Sequence, residues 1–176
     1  MTAAIEAGTN REFDLVRIFD GPRDLVFKVW TDPRYVALWW GIDGATNSRC
    51  ELDVRPGGAW RIDMRTANGA VYPNAGFFLE VVANERLVYN DIADPASIAW
   101  TGTLRGPLVY TVTFEDADVG GTRVRLVVRA DSESDRDLVI RLGMRDGMEQ
   151  SLHRLQRLLD ELGLQGDGAS ARQAPR

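Results

Sequence analysis

The sequence predicts an α+β domain in which a curved antiparallel sheet of about six to seven strands wraps around one long C-terminal helix. Three observations carry this. Wound at about 100° per residue, residues 134–163 place Met144, Met148, Ser151, Leu152, Leu155, Leu159 and Leu162 in one apolar sector. Residues 48–130 alternate apolar and polar side chains in short runs, separated by turn sequences such as Asn68-Gly69 and Gly120-Gly121. Two short helical stretches, each opened by a proline, lie between the first strand and the rest. A sheet with one apolar face must bury that face, and the terminal helix is the one element large enough to cover it. A helix of nearly thirty residues is about 40 Å long. A strongly curved sheet closed over such a helix leaves a hollow between the two.

Taken in order, residues 13–19 form the first strand. Asp20-Gly21-Pro22 opens a helix with Leu25, Val26, Val29 and Trp30 inward, and Thr31-Asp32-Pro33 caps and opens a second, ending near Trp39-Trp40-Gly41. Residues 48–54 alternate, with Cys50, Leu52 and Val54 on one face; Arg55-Pro56-Gly57-Gly58 turns the chain. Trp60, Ile62 and Met64 share a face of the next strand. Strands over 76–82 and 85–92 follow, then a loop over 93–106 carrying Trp100, then strands over 108–115 and 122–130. Arg123, Arg125 and Arg129 make a solvated stripe on the last of these. In the final helix, Ser134-Asp135-Arg136-Asp137 has the form of a capping box, and Gly163 suits the left-handed residue after the last turn. Gly143 and Gly147 each cost about 1 kcal/mol relative to Ala inside a helix. With Asp137 and Arg141 also in the apolar sector, the upstream half reads as a lid and the downstream half as packed core.

The bulk numbers narrow the function. The chain has 176 residues and a formal net charge of −5, with one cysteine and one histidine. That length suits one domain with a real core: 11–163, with disordered ends over 1–10 and 164–176. The acidic balance weighs against a nucleic-acid partner. No run approaches the length of a membrane span, and no secretory pattern opens the chain. A lone Cys50 excludes an internal disulfide, so a cytoplasmic protein is expected. His153 lies opposite the apolar sector, which argues against a histidine-based triad or metal site; no cofactor is expected.

Arg17-Ile18-Phe19-Asp20-Gly21-Pro22, Val26-Phe27, Trp30-Thr31-Asp32-Pro33 and Trp39-Trp40-Gly41 stand in a familiar order. Asp53-Val54-Arg55-Pro56-Gly57-Gly58-Ala59-Trp60 follows, then Glu80-Val81-Val82 with Arg86-Leu87-Val88-Tyr89. Gly147-Met148, Ser151-Leu152 and Arg154-Leu155 complete the series. Over roughly 11–162 the chain resembles the bacterial single-domain proteins akin to the C-terminal domain of the activator of heat-shock protein 90 ATPase. The resemblance departs at Ala83, where the family often has Pro nearby, and at Met148, where it often has Trp nearby. It implies the START-like, birch-pollen-allergen-like helix-grip fold of the SRPBCC superfamily, whose members enclose a hydrophobic cavity.

Five tryptophans are more than such a core needs, and aromatics of that size often line ligand cavities. The candidates for the lining are Trp39, Trp40, Trp60, Met64, Phe78, Tyr89, Tyr110, Met144 and Met148, with Glu80 and Arg141 as polar members. One of Trp39 and Trp40 is expected to wedge the second helix and the other to line the mouth. Glu80 is either an inward acid–base group or an outward carboxylate paired with an arginine. Arg141 either anchors an acidic guest at the mouth or is wet. The leading expectation is a protein that binds an apolar or aromatic metabolite, with no membrane or nucleic-acid partner and homodimerisation left open. The alternatives are an aromatase/cyclase-type enzyme using the same hollow and, third, a co-chaperone of a heat-shock ATPase.

Overall fold

The computed structural model describes residues 10–92, 104, 106–118 and 120–170, the last seven of these as backbone alone. The expected disordered ends lie in part outside the described residues, as does Trp100 with most of its loop. Seven strands form one open antiparallel sheet: β1 (Glu12–Phe19), β2 (Thr46–Leu52), β3 (Ala59–Arg65), β4 (Val71–Val82), β5 (Arg86–Asp91), β6 (Val109–Asp116) and β7 (Thr122–Arg129). Their spatial order is β1-β7-β6-β5-β4-β3-β2, so β2 to β7 are a meander and β1 closes on its far end. Two short helices, α1 (Arg23–Thr31) and α2 (Pro33–Trp39), carry the chain from one edge strand to the other. Asp32 caps α2 by accepting from the Arg34 N–H, with Pro33 at the first helical position.

The core lies between the sheet and the C-terminal segment. Phe13, Leu15, Tyr110, Val112, Phe114, Val124, Leu126 and Val128 point to it from β1, β6 and β7, and Leu152, Leu155 and Leu159 meet them from the helix. This is the period-two and period-3.6 patterning of the sequence converging on one volume. The Arg123, Arg125 and Arg129 stripe faces solvent, with Arg125 Nε 3.0 Å from Asp14 Oδ2 across the β1–β7 pair.

The terminal helix differs from expectation in three ways. It is two helices, α3 (Glu133–Arg141) and α4 (Met144–Ser170), because Gly143 takes a left-handed φ of 84° and ends the first. The cap sits two residues earlier than expected: Ser132 is the N-cap, its hydroxyl accepting from the Asp135 N–H at 3.1 Å and donating to Asp135 Oδ2 at 2.8 Å. That reciprocal pair buries Asp135. At the other end α4 continues past Gly163, which sits within the helix. The phase of the apolar sector therefore restarts at Met144, and Arg141 falls outside it, exposed at the end of α3.

β4 also departs from the expected strand. It starts at Val71 rather than near Gly76 and includes Pro73. Pro73 pairs with Asp63 of β3, in a stretch that the β4–β5 pairing, beginning at Gly76↔Asp91, does not reach. A proline without an N–H is tolerated at such an edge. Further along, the register shifts between Phe78 and Glu80, leaving Leu79 as a bulge opposite β5. The bulge turns Phe78 inward and sends Glu80 out, where its carboxylate lies 3.4 Å from Arg86 Nε and is half exposed. Glu80 is thus a surface carboxylate and not part of the hollow.

Candidate ligand cavity

The concave face of β3, β4, β5 and β6 borders a hollow of about 170 Å³ beneath the first turns of α4. Period-two alternation sets its floor. Register pairs Phe78 with Tyr89 and Tyr89 with Tyr110, so the three rings form a row across β4, β5 and β6. Tyr89 stacks on Tyr110 with centroids 4.9 Å apart and planes 10° from parallel; Phe78 and Trp60 meet Tyr89 edge-on at 6.0 and 5.9 Å. Trp60 reaches this row because its cross-strand neighbour is Gly76. A Cβ at Gly76 would lie 2.7 Å from Trp60 Nε1 and overlap the Asn90 carbonyl oxygen, which accepts from that indole N–H at 2.9 Å. Met64 fills the corner under Gly41, whose φ of 106° and closeness to the Met64 sulfur leave no room for a side chain.

Trp39 and Trp40 take different roles. Trp39 is buried, donates from Nε1 to the Val29 carbonyl at 3.0 Å and packs on Trp30 at 4.9 Å, so it is the wedge between α1 and α2. Trp40 is partly exposed and lines the rim beside Gly41 and Ile42. Met144, Gly147, Met148, Ser151 and Leu152 form the roof. Nine of the eleven residues singled out in the sequence line this hollow; Glu80 and Arg141 do not.

Asp91 is the polar residue that sequence reasoning missed. It follows Leu87 and Tyr89 at period two on β5, and that alternation is the signal that places it inward. Its Oδ1 accepts from the Leu108 N–H at 2.8 Å, and its Oδ2 accepts from the Tyr110 hydroxyl at 2.9 Å. Burial raises the Asp91 carboxyl above the usual range, opposed by those two donors. Burial, with the Asp91 charge beside it, likewise pushes the Tyr89 and Tyr110 phenols up, against a hydrogen bond from the Trp30 side chain to Tyr89. Both tyrosines therefore keep their protons at neutral pH.

Arg154 fastens the rim. Its Nη1 donates to the Gly41 and Ile42 carbonyls at 3.2 and 2.7 Å, and its Nη2 to Leu38 and Ala45 at 2.9 and 3.0 Å. Ser151 adds a reciprocal pair with Gly41, accepting from its N–H and donating to its carbonyl, both at 3.0 Å. Arg154→Met keeps the apolar stem and removes a charged donor from each of four carbonyls, of which those of Gly41 and Ile42 keep another. It is expected to cost about 2 kcal/mol, read as a lower urea midpoint, with faster amide exchange at residues 41–45. An unchanged midpoint and exchange pattern would show the clasp to be idle.

Other candidate chemistry is quiet. Burial, with the Glu51 charge adding to it, pushes the half-buried Cys50 thiol up to about 11, where it is a poor nucleophile. His153 is exposed on α4, its Nδ1 2.8 Å from the Glu149 carbonyl oxygen. Among the described residues no group of three His, Cys, Asp or Glu side chains could hold a metal ion, and no helix is long and apolar enough to cross a membrane.

Solved structures share this architecture. A protein of Nitrosomonas europaea superposes with a TM-score of 0.77 at 23% identity, over 90% of this chain and 99% of its own. A Rhodobacter sphaeroides protein gives 0.76 at 19%, over 89% and 97%, and an Arthrobacter aurescens protein solved in solution gives 0.75 at 24%, over 86% and 87%. At these identities the likeness is one of fold, a seven-stranded helix grip. No curated protein matches the chain. The family described as Activator of Hsp90 ATPase homolog 1-like protein matches residues 20–160. Its span runs from the turn before α1 to the packed half of α4 and so contains every residue that lines the hollow; this chain belongs to that family.

Proposed function

We propose that this protein binds a small apolar or aromatic molecule in the hollow between sheet and α4. The observation that carries the reading is a largely apolar hollow, open to one side, in a chain otherwise packed to a continuous core, with Asp91 its one charged side chain among the described lining residues. Proteins do not leave such space empty at no cost, because unfilled volume forfeits packing. Its size bounds the guest. About 170 Å³ is close to the roughly 150 Å³ that admits benzene and below the roughly 300 Å³ where drug-sized pockets begin. A single ring with a short substituent fits.

Trp60, Tyr89 and Tyr110 border the space, so a guest is expected to quench the intrinsic fluorescence. At 100 times its dissociation constant it also adds about 2.7 kcal/mol to stability. A screen of one-ring and short-chain apolar compounds, read by quenching and melting temperature together, checks both. Silence in both readouts across the screen removes the binding reading.

A second reading, catalysis, gains support from one observation. Asp91 and Tyr110 form a hydrogen-bonded acid–base pair inside the hollow, the kind of group an enzyme of this fold requires. Conversion of a bound guest, followed by mass spectrometry and abolished in Asp91→Asn, would establish it; return of every guest unaltered leaves binding alone.

A further inference from the structure

Asp91 is the one charged side chain among the described residues that line the hollow. Among the described residues, the Leu108 N–H donates to Asp91 Oδ1 and the Tyr110 hydroxyl to Asp91 Oδ2. A carboxylate offers about four lone-pair sites, so both oxygens retain acceptor capacity. Tyr110 spends its proton on Asp91 and presents only its oxygen to anything else. Among the described residues that line the hollow there is no Lys, Arg or His. Arg154 of the roof helix commits its guanidinium to four backbone carbonyls at the rim. A buried carboxylate beside an apolar hollow, with no cation among the described lining residues, can take its counter-charge from a guest.

We propose that Asp91 is the anchor of the cavity, and that it selects guests carrying a hydrogen-bond donor, a primary amine above all, on a small aromatic or short alkyl body. Carboxylates are rejected. An ammonium group at Asp91 makes a charge-assisted hydrogen bond, roughly twice as strong as a neutral one. It also places a positive charge beside Asp91 in a setting where charges are weakly screened. An alcohol donates without the charge and ranks second. An anionic head brings a second negative charge beside Asp91, and two such charges within a few ångströms cannot both stay ionised cheaply. This reverses the expectation attached to Arg141, which would have favoured acids.

This inference rests on the binding reading above, and a set of four probes separates the two. Propylbenzene, 4-propylbenzyl alcohol, 4-propylbenzylamine and 4-propylbenzoate share one apolar body and differ in the head group. Titration calorimetry at neutral pH is expected to rank the amine about tenfold tighter than propylbenzene, the alcohol between them, and the benzoate about tenfold weaker than propylbenzene. Asp91→Asn preserves shape and removes the charge; it is expected to bring amine and alcohol to within about threefold of each other and to relieve the benzoate penalty. Tyr110→Phe leaves the charge and frees an acceptor site, so the amine preference is expected to persist. Should Asp91→Asn not fold, the wild-type ranking and Tyr110→Phe still decide. Equal affinity for all four probes leaves the cavity standing and removes the anchor. Benzoate binding as tightly as the amine, or an amine preference intact in Asp91→Asn, also overturns the proposal. Absence of binding by every probe, propylbenzene included, would take down the cavity reading and the anchor with it.

Discussion

Gly76→Ala is expected to lower the melting temperature by about 8–16 °C, the effect of about 4 kcal/mol in a chain of this size. The reason is local. Gly76 sits opposite Trp60 on one side and Asp91 on the other, in the middle of three paired strands. A methyl group there overlaps the Asn90 carbonyl oxygen, which is backbone and is already held by the Trp60 indole N–H. Neither β4 nor β5 can retreat without breaking ladder hydrogen bonds, so the usual escape of a flexible side chain is closed. The double variant Gly76→Ala with Trp60→Phe tells the contacts apart: it removes the indole at 2.7 Å but leaves the carbonyl. It is expected to recover little. Gly69→Ala serves as the control, since the glycine takes a φ of 86° in a turn with open space around it. Its cost is confined to the left-handed backbone, about 1 kcal/mol. A Gly76→Ala protein no less stable than Gly69→Ala would mean that the β4–β5 pairing yields there.

The residues that carried the cavity in the sequence were those whose face is fixed by strict alternation. Trp60 with Ile62 and Met64, and Tyr110 with Val112 and Phe114, needed only the period of a strand. Glu80 stayed open between its two readings for the complementary reason. The bulge at Leu79 inserts one residue without a glycine or any other compositional mark, and a one-residue slip exchanges the faces of everything after it. Asp91 was readable by alternation from Leu87 and Tyr89, but an acid at a strand end looks like turn chemistry and draws no attention. Gly143 was visible as an expense within a helix. That it serves as a break was hidden, because the apolar sector of α4 starts at the very next residue and joins smoothly to what precedes it. Pro73 concealed the first half of β4, since its edge position depends on how far β5 extends, a property of two strands together. Composition and period thus reach single elements, whereas register, bulges and helix breaks are settled between elements.

Met144→Trp is expected to leave stability within about 1 kcal/mol of wild type while abolishing binding of propylbenzene. Met144 begins α4 and roofs the hollow with Gly147 and Met148, half-buried rather than locked into packed neighbours. An indole added there has volume to enter, and the apolar area it buries offsets the strain of its larger ring. The same indole then occupies the space a guest needs. Leu155, about three turns further along α4, is fully buried within the core cluster. At that position Leu155→Trp must displace packed side chains and is expected to cost about 1–3 kcal/mol or more. The pair therefore measures, on one helix, where the core stops and the hollow starts. Chemical denaturation of both variants and calorimetry of Met144→Trp with propylbenzene supply the data. If Met144→Trp were destabilised as much as Leu155→Trp, the roof would be packed solid. If it kept its stability and still bound propylbenzene like wild type, the guest would lie elsewhere than beneath the first turn of α4.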